Sequence, residues 1–166
     1  MGLVSTTVAS MEIGGLPLHP LVVHGAVVFT PLAALALIAF AVLPRYRYLT
    51  RWPAAILAVM AFGAVWAARI TGQAMLDANP DLAQLVQTHM DRAKLLSLVM
   101  ILFLVVALVS VWDLGGSTGL ASGRGAQESR VASLDKVLPV LVVIVSLVVL
   151  ALVIAAGDAG SRAVWG

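Results

Sequence analysis

Three histidines, His19, His24 and His89, stand in 166 residues, and imidazole is the side chain best suited to bind a transition metal or carry a proton near neutral pH. Cysteine is absent. That removes disulfides, zinc–thiolate sites, iron–sulfur clusters and thioether-attached haem, leaving His, carboxylate, Met and hydroxyl groups as metal ligands. His19 and His24 are five residues apart, about 140° around an α-helix, so one helix cannot aim both at a common point. His19 precedes Pro20, which biases it toward an extended conformation and a capping or supporting place. His24 falls four residues beyond Pro20, about 6 Å into a helix that starts there. Whether the histidines can act together depends on the elements that carry them.

Hydrophobic residues make up 61% of the chain and charged residues 11%, with a mean hydropathy of +1.06, whereas soluble domains hold roughly 25% charged residues. So few charges cannot cover a water-facing surface, which argues for a bilayer and against a cytosolic enzyme. Four stretches reach the roughly 20 apolar residues that a span needs: 21–43, 52–72, 93–112 and 137–156. The expected fold is all-α, a four-helix transmembrane bundle. An N-terminal segment (residues 1–19) precedes the membrane domain (20–157), and a tail (158–166) follows it. The net charge of +2 comes from ten cations spread over short loops without a basic run, so nucleic acid is not an expected partner.

Arg45, Arg47, Arg51, Arg124, Arg130 and Lys136 fall in the first and third loops. Arg69, Arg92, Lys94 and Arg162 fall on the other side. The positive-inside rule then places the first group in the cytoplasm and both termini outside the cytoplasmic membrane. The first twenty residues lack Lys and Arg, and Gly14, Gly15 and Pro17 interrupt any apolar run, so no cleaved signal peptide is expected. Met1-Gly2 with Thr6 matches the myristoylation pattern only formally.

Pro31 sits inside span one and reads as a packing kink. Arg45 to Trp52 reads as an interfacial turn, and Gly115 to Lys136 as a flexible Gly/Ser-rich loop. In span two Ala54, Ala58, Ala61, Ala64 and Ala68 form a strip for close helix packing. Span four, with Ser146 as its single hydroxyl, is expected to face lipid or a partner and add nothing to a polar site. Asn79-Pro80-Asp81 reads as the capped start of a third helix that extends beyond the bilayer on the extracytoplasmic side. From there Leu82, Leu85, Val86, His89, Ala93 and Leu96 recur at helical spacing, which puts His89 on the inward face.

This topology gathers all three histidines at one end of the bundle. His24 and His89, at similar depth on separate helices, are the expected axial ligands of a b-type haem, with His19 supporting. Arg69 at the end of span two would serve a haem propionate, or else Asp77 or Asp91. Structural alternatives stand beside this reading: a bundle-end histidine that bonds a carbonyl, and an arginine that reaches water. Met75 and Met90 near His89 offer a weaker thioether copper site. Asp77, Asp81 and Asp91 read as solvated, and no nucleophile triad, phosphate loop or zinc-protease motif points to catalysis.

The segment Leu18-His19-Pro20-Leu21-Val22-Val23-His24-Gly25 with Pro31 following resembles the opening of the domain-of-unknown-function family 2231, four-helix predicted membrane proteins of bacteria. Gly72 and His89 are similar to that family's glycine after span two and histidine before span three, and the resemblance covers roughly Leu16 to Ala156. Gly25 and Ala26 replace the commoner aromatic and proline after the second histidine. Some members are joined to Rieske-type or other electron-transfer domains, so the resemblance implies a redox role in the membrane. The expectation is therefore a haem-b electron-transfer protein, an electron carrier more than an enzyme, served by a separate membrane or periplasmic redox partner. The rival is a non-catalytic accessory subunit of a larger, respiratory-type membrane complex. A small transporter is weaker, since no inverted repeat is evident.

Overall fold

The computed structural model describes residues 12–13, 16–114 and 130–166. The formal match to the myristoylation pattern and most of the Gly/Ser-rich loop lie outside the described residues. Four helices form a bundle: α1 (Leu18–Val42), α2 (Arg47–Ala78), α3 (Ala83–Asp113) and α4 (Val137–Trp165). A two-residue antiparallel ladder, Glu12–Ile13 with Leu16–Pro17, leads into α1. Each helix is long and apolar enough to cross a membrane. They follow one another around a square, α1 packing on α2 and α4, and α3 on α2 and α4. Thus α1 and α3 lie on one diagonal, α2 and α4 on the other.

Every helix outruns its expected span because polar residues continue it past the apolar stretch. α1 starts at Leu18, so His19 is helical and Pro20 occupies the first turn, where a missing N–H costs no hydrogen bond. Leu43 and a 3₁₀ turn, Pro44–Tyr46, are enough to reverse the chain into α2. Arg47 is consequently the first residue of α2, and its side chain is buried. Its Nε–H donates to the carbonyl of Phe40 (3.2 Å) and its Nη2 to that of Ala41 (3.4 Å), so the guanidinium closes the C-terminus of α1 while lying over the Phe40 ring.

Asn79 ends α2 instead of opening α3. Its Nδ2 donates to the carbonyl of Met75 (3.1 Å), as does its backbone N–H, and the 3₁₀ turn Pro80–Leu82 then leads into α3. The extension of the third helix stands, but without the expected side-chain cap. Along it Leu96 is buried, His89, Val86 and Ala93 are half-buried, and Leu85 is exposed.

The core is filled by Phe40 and Leu37 of α1, Met100 and Phe103 of α3, and Val142 and Val149 of α4. On α2 the strip is buried at Ala54, Ala58 and Ala61, gives way to Val65, and is half-buried at Ala64 and Ala68. Large apolar side chains such as Ile144, Leu147 and Ile154 point outward, as a lipid-facing surface requires. Ser146 faces the core and not lipid, 1% exposed.

Candidate functional site

Each histidine donates Nδ1–H to a backbone carbonyl. His19 bonds Ala68 (3.0 Å) on α2, His89 bonds Ala156 (2.8 Å) on α4, and His24 bonds Pro20 (2.6 Å) one turn back on its own helix. A carbonyl can only accept, so Nδ1 carries the proton and Nε2 of the neutral ring keeps its lone pair. Metal-bound imidazoles are commonly oriented by this same contact.

His19 and His89 reach across to neighbouring helices, whereas His24 is exposed. The expected inward pairing of His24 with His89 is thus replaced by His19 with His89. The offset of about 140° holds, and the rotation of α1 about its own axis turns His19 toward α2 and His24 away. His19 and His89 lie on the α1/α3 diagonal, toward the same end of the bundle.

The two inward histidines share a local design. The ring of His19 lies on Gly72, four residues past its acceptor Ala68, where a Cβ would stand 2.9 Å from Cε1 and 3.2 Å from Nδ1. The ring of His89 lies on Gly160, four residues past its acceptor Ala156, where a Cβ would stand 3.0 Å from Nδ1 and 3.2 Å from Cε1. Ala68-Arg69-Ile70-Thr71-Gly72 and Ala156-Gly157-Asp158-Ala159-Gly160 therefore do the same work. Glycine removes the side chain that would push the imidazole off the helix, and the carbonyl one turn earlier fixes the ring. The contact of His19 with α2 and that of His89 with α4 are thus built alike. Thr71 distinguishes the first contact: its hydroxyl donates to Ala67 (2.9 Å) or Ala68 (3.1 Å) and accepts from His19 Nδ1 (3.2 Å).

A match covering residues 15–166 is found with the family DUF2231, described as a predicted membrane protein. The chain belongs to this family. No curated protein and no solved structure matches it. In this DUF2231 chain α4 joins the site after all, through a glycine and a carbonyl instead of the polar side chains that its sequence lacks.

Arg69 meets neither Asp77 nor Asp91. Its Nη1 donates to Ser97 Oγ (2.5 Å) on α3, its guanidinium lies over Trp66 (5.3 Å to the ring centre), and Asp77 accepts from Gln73. Ser97 is fully buried, so this bond ties α2 to α3 inside the bundle. Sequence reading also missed Arg92, which donates to the Ala155 carbonyl (2.7 Å) and stands 3.8 Å from Asp158, fastening α3 to α4 beside His89. Its place three residues after His89, one helical turn on, was the available signal.

Proposed function

We propose that this protein is an integral membrane electron carrier that binds a b-type haem at the histidine end of the bundle, with His19 and His89 as the ligand pair. The observation that carries this reading is that two imidazoles on diagonal helices are each anchored at Nδ1, leaving Nε2 as a free electron-pair donor. Gly72 and Gly160 fit it too, since they keep bulk away from the rings. Arg69 is the cation for a propionate, and His24 is a peripheral group. When bound, the haem supplies one-electron chemistry, while the protein orients it and sets its surroundings. The excess of cations in the first and third loops supports an extracytoplasmic position for the site in the cytoplasmic membrane, where a membrane or periplasmic partner would exchange electrons.

The test is the visible spectrum of the full chain purified in detergent from haem-supplied cells. A Soret band is expected that His19→Ala and His89→Ala abolish and His24→Ala preserves. Absence of the band, or its persistence in both inward variants, overturns the proposal.

A further inference from the structure

The two ends of the bundle treat their arginines differently. At the histidine end each described arginine bonds another side chain or a backbone carbonyl of the chain: Arg69 bonds Ser97 while lying over Trp66, Arg92 bonds Ala155 and stands near Asp158, and Arg162 pairs with Asp158 at 3.0 Å. At the opposite end Arg45 lies over the ring of Tyr46 (5.9 Å), Arg51 over Trp52 (5.0 Å) and Arg130 over Trp112 (5.2 Å), and among the described residues none of the three forms an ion pair. The aromatic partners are themselves exposed, Trp52 at 62% and Trp112 at 53%. Nε of Arg51 is buried and bonds to no group of the chain. Acids do not compensate: Asp113 is buried with one carboxylate oxygen accepting the Val131 N–H, and Asp135 lies within electrostatic reach of the buried Arg47.

An arginine flat on an aromatic face keeps the in-plane edge of its guanidinium free, and that edge matches the paired oxygens of a phosphate. Trp and Tyr rings mark the headgroup depth of a bilayer, so each stack holds a guanidinium where lipid phosphates lie. The stacks stand at the α1–α2 turn and at the α3 terminus, with exposed Lys136 before α4 adding charge at another corner. Among the described residues, the acids at this end, Asp113 and Asp135, form no ion pair with any of the three arginines. A zwitterionic headgroup would bring its own cation into a crowded positive rim, whereas an anionic one brings net complementary charge.

We propose that Arg45, Arg51 and Arg130, each stacked on an interfacial aromatic ring, form a rim that selectively binds anionic phospholipid. The lipid phosphate accepts from the terminal guanidinium nitrogens of the three arginines, and the rim thereby anchors this end of the bundle in an anionic leaflet. The inference is independent of any cofactor at the histidine end.

The full chain in dodecyl maltoside is titrated with phosphatidylglycerol, with phosphatidylcholine, or with inorganic phosphate, reading thermal unfolding and lipid adducts by native mass spectrometry. Phosphatidylglycerol is expected to raise the unfolding temperature and to be retained, while the other two do neither. The triple variant Arg45→Gln, Arg51→Gln, Arg130→Gln should weaken phosphatidylglycerol binding at least tenfold, and Arg92→Gln with Arg162→Gln should leave it unchanged. If the triple variant does not fold, the three single substitutions are each expected to weaken binding severalfold. Equal response to phosphatidylcholine, equal response to inorganic phosphate, or selectivity that survives the substitutions overturns the proposal.

Discussion

A backbone carbonyl that receives a histidine Nδ1–H leaves the other ring nitrogen basic, so the contacts to Ala68 and Ala156 set the chemistry of His19 and His89 as well as their position. The glycine beneath each ring is then as consequential as the histidine. Gly72→Ala places a methyl 2.9 Å from an imidazole held by two partners, and is expected to cost about 1–3 kcal/mol and to weaken any Soret band. Gly160→Ala, slightly less crowded, should do the same to a smaller extent; thermal unfolding and haem titration in detergent check both. Buried hydroxyls give the opposite expectation. Thr30 and Ser146 are almost fully buried and their oxygens bond to no other group of the chain. Removing such an atom costs no native bond, so Thr30→Val and Ser146→Ala should leave stability unchanged or raise it by about 1 kcal/mol. A fall in unfolding temperature for both variants would show that those hydroxyls are bonded.

Between elements, the polar contacts among the described residues are few, and most reach a neighbouring backbone carbonyl: Ala68, Ala155 and Ala156 accept from within their helices, while Phe40 and Ala41 accept at the end of α1. Arg47 is the clearest case because it bonds the carbonyls of Phe40 and Ala41 and lies over the Phe40 ring in a buried place. Arg47→Ala leaves these carbonyls without their donor in an apolar setting and is expected to cost about 1–3 kcal/mol in detergent unfolding. Arg47→Lys should recover only part of this, since one ammonium cannot reproduce the planar fork. Ser97 plays the corresponding part between α2 and α3 through Arg69. Each hairpin is closed by a few such contacts, and the hairpins meet chiefly through apolar surface.

At the scale of the whole molecule, apolar side chains lie both inside and outside, so hydrophobicity alone cannot say which face packs. In lipid the distinction rests on close van der Waals contact and not on escape from water. Truncating Phe103, 1% exposed on α3, is therefore expected to cost about 3–5 kcal/mol, while Leu147→Ala, 54% exposed on α4, should stay within about 0.5 kcal/mol. Comparing their unfolding in the same detergent checks the packing. Near-equal losses would contradict the assignment of faces.

Hydropathy and length determined the four helices and their membrane setting, because backbone polar groups in a bilayer must be bonded within each segment and apolar runs of span length leave few other solutions. Proline and turn residues marked where the chain reverses, and the order of spans was enough to gather His19, His24 and His89 at one end. Rotation about each helix axis was not legible in the same way. Spans apolar on most faces carry little to orient them, so the rotation of α1 that turns His19 toward α2 and leaves His24 exposed was set only by packing. The parts played by Gly72, Gly160 and the carbonyls of Ala68 and Ala156 were decided only when the helices packed, since a backbone acceptor and a missing Cβ acquire a function from the neighbour set against them.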